Sequence, residues 1–276
     1  MSDERNGRWR VGDAFDQFGD REWERLDLDV ASRVSFALHR RWLARHEVRG
    51  RVLEIGAGAG RFTVELVRSG CRVVVADIST VQLDLNHQHV AEADALDGIE
   101  GWAQADICDL PRAWRSGFDA VVAYGGVLSY VFDDADTAAS QCLQALRAGG
   151  VFVGSVMSLA GNARLHIDSI LELARDGRLG AVDELLRTGD QRAVAATGVG
   201  RFQHFTLDRL CAVIESAGGS LREASASNWL TADGSPVVVA AESDDCWDWL
   251  LDAEEAICRA PGTIEGGSDM LFAAGR

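Results

Sequence analysis

From residue 51 onward, short apolar runs alternate with segments of helical periodicity. RVLEIG (51–56), RVVVAD (72–77) and FDAVVAYG (118–125) are nearly continuous apolar runs, and helical segments lie between them. Strands of this kind belong to parallel sheets that are covered by helices on both faces. The alternation therefore predicts an α/β fold in which the strand C-termini meet at one edge of the sheet, where ligands of such folds bind.

Weaker signals extend the same sheet toward the C-terminus. The third, fifth and sixth strands are predicted at 101–106, 151–157 and 221–227. The seventh strand has two candidates, Val237–Ala241 and Met270–Ala274. We favour the second, with Cys246–Cys258 as a helix that precedes it.

The chain of 276 residues has no Pro/Gly/Ser-rich linker that would separate domains. We predict a helical N-terminal lid at 1–48, a ligand-binding core at 49–157, a helical cap insertion at 158–205, and the remainder of the core sheet at 206–276. Within the first segment, Val30, Val34, Leu38 and Trp42 recur at four-residue steps, which predicts an amphipathic helix.

Charge and composition exclude several partner classes. The formal net charge is −16, which would repel a phosphate backbone, and we expect no nucleic-acid partner. No run approaches the ~20 apolar residues of a membrane span, and we expect no membrane partner.

The six cysteines show neither C-x-x-C spacing nor pairing with a nearby His. We interpret them as core thiols of a cytoplasmic protein and predict no metal site.

The segment Glu54-Ile55-Gly56-Ala57-Gly58-Ala59-Gly60 closes the first predicted strand. Glycines at alternate positions let the backbone turn sharply and let a ligand approach where a Cβ would clash. Asp77 ends the second strand, where a carboxylate can bind both hydroxyls of a ribose. Folds that bind NAD and folds that bind S-adenosylmethionine (SAM) share this acid, but the NAD fingerprint needs a glycine where Arg61 stands. The spacing therefore disfavours NAD.

Several motifs resemble those of one family. VLEIGAGAGRF (52–62) resembles motif I of the class I SAM-dependent methyltransferases, and ADIS (76–79) resembles their acidic second-strand loop. QADICDL (104–110) resembles the motif whose acid binds the adenine amino group. FDAVVAYGGVLSYV and LRAGGVFVGSVMS resemble the fourth- and fifth-strand motifs. FGDREWERL near the N-terminus and the C-terminal half also resemble a bacterial subgroup that modifies small molecules.

The resemblance implies a Rossmann-like, seven-stranded, mostly parallel sheet with helices on both faces, and it implies SAM as the cofactor. It implies transfer of a methyl group to N or O of a small molecule, a natural-product intermediate of secondary metabolism. The implied cofactor-binding residues are Glu54 at the amino group, Gly56, Gly58 and Gly60 beside the methionyl part, Asp77 at the ribose, Ile78 against the adenine, Asp106 at the adenine amino group with Ile107 beside the ring, and Tyr124 and Gly125 beneath the sulfonium.

The catalytic residues depend on the acceptor. An amine with a free lone pair needs no strong general base, whereas a hydroxyl benefits from one. His166 and His204 are the candidate bases, and Phe202 and Phe205 beside His204 would favour its neutral, proton-accepting form. Tyr130 follows the fourth strand, close to where the acceptor is expected. The predicted catalytic residues are therefore His204, Tyr130 and His166.

Two other functions stay open at this point. One is an enzyme that keeps the SAM fold but catalyses a reaction other than methyl transfer. The other is a regulatory module that binds SAM without turnover. The assembly state is also open, and a homodimer is compatible with the sequence.

Overall fold

The structure is a computed structural model that describes residues 11–194, 201–233 and 246–276. Within these residues seven strands form one sheet in the order β3-β2-β1-β4-β5-β7-β6. The strands are Arg51–Ile55 (β1), Arg72–Asp77 (β2), Ile99–Gln104 (β3), Phe118–Ala123 (β4), Leu146–Met157 (β5), Ser220–Ala226 (β6) and Asp269–Gly275 (β7). β7 runs antiparallel to both β5 and β6, and all other neighbouring pairs are parallel. The predicted Rossmann-like α/β fold is confirmed.

Helices pack on both faces of the sheet and cover its C-terminal edge. They are residues 11–18 (α1), Arg21–Glu24 (α2), Val30–Arg45 (α3), Arg61–Arg68 (α4), Thr80–Glu92 (α5), Ala135–Ala145 (α6), Leu159–Leu165 (α7), Ile167–Arg175 (α8), Leu179–Thr188 (α9), Leu207–Ser216 (α10) and Cys246–Cys258 (α11). None of the helices in the described ranges is long and apolar enough to cross a membrane.

Two buried layers flank the sheet, as the apolar strands predict. Phe152 and Phe272 pack with residues of α6 and α10 on one face. Val122 and Val153 pack with Trp42 of α3 on the other. Because successive side chains of a strand point to opposite faces, β1, β2, β4, β5 and β7 each contribute side chains to both layers.

Strand direction brings the ends of distant segments together. Because β1, β2, β4 and β5 are parallel, Gly56, Asp77, Tyr124 and Met157 all lie at one edge of the sheet. The antiparallel β7 begins at this same edge, where Asp269 pairs with Met157. The ligand edge predicted from the alternation is therefore assembled from five strands.

The structure decides the ambiguous elements. The seventh strand is the favoured candidate, since β7 contains Met270–Ala274, and the alternative Val237–Ala241 lies outside the described residues. The third strand begins earlier than predicted and stops at Gln104 rather than at 106. The reason is Asp106, whose carboxylate accepts a hydrogen bond from the backbone N–H of Cys108 and thereby turns the chain.

Candidate functional site

A cavity of about 260 Å³ lies between the C-terminal edge of the sheet and the N-terminal helices. Glu54 and Gly60 line a smaller adjoining cavity, which shares Gly56 and Tyr124 with the main one. The other predicted cofactor-binding residues on the main cavity wall are Gly56, Gly58, Asp77, Ile78, Asp106, Ile107, Tyr124 and Gly125. The structure therefore brings all the residues predicted to bind the cofactor to one place.

The glycine-rich loop makes a turn that side chains would obstruct. Gly56 and Gly58 adopt left-handed φ angles of +69° and +52°. A Cβ on Gly56 would overlap the side chain of Val127, and a Cβ on Gly58 would lie 3.1 Å from Cγ of Glu22. Both the conformation and the space favour glycine here, and the turn leaves the backbone open toward the cavity.

Glu54 is a buried acid held by a chain of hydrogen bonds. Thr63 Oγ1 donates to Glu54 Oε2 at 2.6 Å, Asn86 Nδ2 donates to Thr63 Oγ1 at 2.8 Å, and Trp102 Nε1 donates to Asn86 Oδ1 at 3.0 Å. Burial, with a smaller contribution from the charge of Asp77, raises the pKa of Glu54 to about 8. A cationic ligand group beside this carboxyl would favour its ionised form.

Asp77 is held at the end of β2 by two backbone donors. Its Oδ2 accepts from Gly58 N and its Oδ1 accepts from Ser79 N, each at 2.8 Å. Burial raises the pKa of Asp77 to about 6, although both hydrogen bonds favour the ionised form. These two bonds orient the carboxylate between the glycine loop and α5, where each oxygen can accept further donors from a ligand.

Tyr124 forms a rigid part of the cavity wall. Its hydroxyl donates to the backbone carbonyl of His39 at 3.1 Å, and its ring meets the His39 ring edge-on with centroids 4.6 Å apart. The ring of Phe62 lies 4.8 Å away. Burial raises the pKa of Tyr124 well above its usual value, so the phenol stays neutral.

His39 on α3 lines the cavity, and the sequence did not single it out. Its Nδ1 lies 2.7 Å from the carbonyl oxygen of Ser35. Because a carbonyl only accepts, Nδ1 carries the proton and Nε2 is a hydrogen-bond acceptor. Burial lowers the pKa of His39 to about 4, so the ring is neutral at pH 7.

The three predicted catalytic residues have different surroundings. Tyr130 lines the cavity, and its ring meets Phe15 edge-on at 5.4 Å. His204 is buried, but its Nδ1 is bonded to the carbonyl of Gly189, and it is not among the described residues that line the cavity. His166 is exposed between α7 and α8 and does not line the cavity either. A catalytic role for either histidine stays a prediction.

The N-terminal helices close the cavity on the side away from the sheet. Phe15 and Phe18 of α1 line it, and Gln82 Nε2 donates to the carbonyls of Phe15 and Gly19 at 3.0 and 3.1 Å. The ring of Trp23 lies 4.0 Å from that of His89 on α5. These contacts attach the N-terminal segment directly to the helix that follows Asp77.

Comparisons with known proteins agree with this arrangement. Residues 52–150 match the family model described as a methyltransferase domain. No curated protein sequence matches the chain. Among solved structures, a SAM-dependent methyltransferase from Thermotoga maritima superposes with a TM-score of 0.61 at 15% identity, covering 96% of this chain and 99% of that one.

Two further structures have the same fold. The CcbJ methyltransferase from Streptomyces caelestis has a TM-score of 0.55 at 14% identity, covering 86% of this chain and 88% of that one. The [4+2]-cyclase SpnF has a TM-score of 0.55 at 15% identity, covering 88% of this chain and 80% of that one. The matched domain and the methyltransferases that share its fold indicate SAM as the cofactor. Residues 52–150 of this chain therefore match a methyltransferase domain, and the described chain has the seven-stranded fold of solved SAM-dependent methyltransferases.

Proposed function

We propose that the protein transfers a methyl group from SAM to a nitrogen or oxygen atom of a small molecule, a natural-product intermediate. One observation carries the proposal: a single cavity joins the glycine loop and Asp77 to aromatic side chains from the N-terminal helices. The glycine loop and Asp77 suit a nucleoside with an amino-acid tail, and the aromatic side chains suit an organic acceptor. A net charge of −16 argues against a polyanionic acceptor.

In this proposal each part of SAM has a partner in the site. Glu54 binds the amino group, Asp77 binds the ribose hydroxyls, and Asp106 accepts from the adenine amino group. The remaining proposed contacts are Ile78 and Ile107 on the adenine ring, Gly56, Gly58 and Gly60 beside the methionyl part, and Tyr124 and Gly125 beneath the sulfonium. The buried carboxyls fit a ligand that carries an ammonium group and a ribose diol.

Methyl transfer is an in-line displacement at carbon. It depends more on how the protein positions the two reactants than on covalent catalysis by the protein. A neutral nucleophile that attacks a sulfonium disperses charge, so a cavity that excludes water assists the reaction. Alignment of the acceptor with the methyl group can supply up to ~7–11 kcal/mol of the barrier. We assign this alignment to the N-terminal lid (1–48), whose Phe15 and Phe18 reach the cavity. We assign to the cap at 158–205 a role in controlling the access of substrate to the cavity.

A second candidate function has one specific observation in its favour. The structure of the [4+2]-cyclase SpnF shares this fold over most of both chains. The same cavity could therefore bind SAM while the protein catalyses a rearrangement in which no methyl group leaves the cofactor. The two functions predict different products from the same incubation.

The test is an incubation with SAM that carries a deuterated methyl group and a panel of amine and hydroxyl acceptors. Mass spectrometry then measures S-adenosylhomocysteine and the labelled product. We expect both to form in the wild type and to decrease in Asp77→Asn. An isomerised product without label would favour the non-methylating reaction. Tight SAM binding without S-adenosylhomocysteine across the panel would favour a regulatory module.

A further inference from the structure

Ser155 places a buried hydroxyl group on the cavity wall. It is 1% exposed, it lines the cavity, and its Oγ has no hydrogen-bond partner among the described residues. A buried hydroxyl without a partner destabilises the folded state, so such groups are rare unless a ligand satisfies them. Ser155 therefore indicates a polar ligand group at this end of the cavity.

The strand register places Ser155 opposite α3. Ser155 pairs with Leu271, which packs in the same buried layer as Trp42 of α3. Trp42 Nε1 donates to the carbonyl of Phe272 at 3.1 Å, which holds α3 against β7. His39 lies one helical turn before Trp42 and lines the same cavity as Ser155. The cavity is thus bounded by Ser155 from the sheet and by His39 from the helix.

Ser155 and His39 have complementary hydrogen-bonding capacities. The proton on Nδ1 of His39 is committed to Ser35 O, which leaves Nε2 as an acceptor only. Ser155 Oγ can donate one hydrogen bond and accept others. A ligand hydroxyl can donate to His39 Nε2 and accept from Ser155, which satisfies both groups. A neutral amine has a single lone pair, which a hydrogen bond from Ser155 would occupy, whereas a hydroxyl oxygen keeps a second lone pair for attack on the methyl group; an ammonium offers donors only and cannot accept the Ser155 proton.

Two charged residues of the wall, Arg25 and Asp269, make hydrogen bonds within the protein, and burial raises the pKa of Asp269, which favours its neutral form. Arg25 donates to Glu22 at 2.7 Å, and Asp269 accepts from Ser268 Oγ at 3.0 Å. The apolar part of the wall near this end comes from aromatic and sulfur-containing side chains: Phe15, Phe18, Tyr130 and Met157. The walls therefore suit an uncharged aromatic body that carries a hydroxyl group.

We propose that Ser155 and His39 bind the hydroxyl of a neutral aromatic acceptor, and that this hydroxyl oxygen is the atom that is methylated. This inference rests on the proposed function and narrows it to O-methylation. The acceptor oxygen forms the new O–C bond, the C–S bond breaks, and its electron pair remains on sulfur as the thioether of S-adenosylhomocysteine. The hydroxyl proton passes to Nε2 of His39.

A weak base is adequate for this last step. While its oxygen bonds to the methyl group, the acceptor becomes an oxonium, and its proton becomes strongly acidic. His39, whose pKa is lowered to about 4 by burial, can accept such a proton late in the transition state. The same burial keeps Nε2 unprotonated beforehand, so it is available to orient the hydroxyl.

The test uses the protein saturated with S-adenosylhomocysteine and three probes: phenol, toluene and benzylamine. Phenol and toluene have similar shapes, but only phenol has a hydroxyl, whereas benzylamine supplies an ammonium. We expect Ser155→Ala to weaken phenol binding by about tenfold and to leave toluene binding unchanged. Phenol should also shift the ¹⁵N resonance of His39 Nε2, and toluene should not.

Two further variants separate a binding role from a structural one. Ser129→Ala removes a hydroxyl that accepts from Met157 N, so it should lower Tm, whereas Ser155→Ala removes an unpartnered hydroxyl and should not. His39→Asn keeps a donor near Ser35 O but removes the Nε2 acceptor, and we expect it to weaken phenol binding selectively. Should His39→Asn fail to fold, the ¹⁵N shift in the wild type remains the measurement for His39.

Several results would overturn the inference. Phenol binding that is absent or independent of Ser155, an unmoved Nε2 resonance, or a lower Tm in Ser155→Ala would each contradict it. Benzylamine that binds more tightly than phenol, irrespective of Ser155, would assign this end of the cavity to an amine. All these outcomes leave the proposed function intact if S-adenosylhomocysteine binds, while failure to bind it would overturn both.

Discussion

Glu54 gives the most direct physical test of the proposed cofactor site. Burial raises its pKa to about 8, so at pH 7 about nine-tenths of these carboxyls are protonated in the ligand-free protein. If Glu54 binds the amino group of SAM, the bound carboxyl must be ionised beside an ammonium. Binding at pH 7 must then release close to one proton per SAM molecule.

The pH dependence follows from the same shift. Since the pKa of Glu54 is higher in the folded protein than its usual 4.5, the ligand-free fold binds the proton more tightly than the unfolded chain does. The free energy of unfolding of the ligand-free protein should therefore fall as the pH rises from 4.5 to about 8. SAM offsets this loss, so its affinity should rise with pH below 8, by up to about tenfold per unit.

Isothermal titration calorimetry in buffers of different ionisation enthalpy measures the protons directly. The slope of the binding enthalpy against the buffer enthalpy is the number of protons released. Glu54→Gln should abolish the release at pH 7. Asp77→Asn is the matched control: the pKa of Asp77 is about 6, so this carboxyl is mostly ionised at pH 7 already. We expect Asp77→Asn to weaken binding by about ten- to a hundred-fold and still to release a proton.

One pattern of results would refute the reasoning. If the wild type binds SAM at pH 7 without releasing a proton, the carboxyl is not ionised by the ligand. If Glu54→Gln releases as many protons as the wild type, another group is responsible. Either result would remove Glu54 from the amino-group site and leave it as a structural partner of Thr63.

Three further predictions concern the loop, the lid and the predicted base. Gly58→Val should abolish SAM binding measured by calorimetry, because its left-handed φ and the nearby Glu22 disfavour a branched side chain, whereas Gly101→Ala, which meets no atom within 4 Å, should bind normally. SAM and acceptor together should slow hydrogen exchange in residues 11–30, and unchanged exchange there would place the acceptor elsewhere. His204→Ala should lower Tm through loss of the bond to Gly189, and its effect on kcat tests the predicted base: a loss of ~10²–10⁴ would support that role, whereas a loss below about threefold would leave His204 a structural one.

The sheet and the cofactor half of the site are predictable from local sequence. Apolar runs such as RVVVAD are buried on both faces, and their alternation with helices fixes strand direction and therefore the ligand edge. The glycine loop and Asp77 lie at strand ends, so their position follows once the strands are identified. For these residues, the local sequence is enough to predict the position in space.

The residues that we propose to bind the acceptor could not be predicted in this way. His39 and Ser155 belong to a helix and a strand that are far apart in the sequence, and they line one cavity because α3 packs against the sheet, where Trp42 Nε1 donates to the carbonyl of Phe272 on β7. Neither has a motif around it. His204 shows a related limit: its aromatic neighbours indicate burial, and the ring is buried, but burial does not specify direction, and its Nδ1 is bonded to the carbonyl of Gly189.

The two buried acids also let the cofactor site be tested in parts. Adenosine has the ribose diol and the adenine but lacks the amino group, so it should engage Asp77 and Asp106 and leave Glu54 protonated. We therefore expect adenosine to raise Tm and to bind at pH 7 without the proton release that SAM causes, and its affinity should be insensitive to Glu54→Gln. Asp77→Asn should weaken both ligands by a similar factor. Proton release by adenosine equal to that of SAM would mean that the two acids respond as one group, and the assignment of separate subsites along the cavity would fail.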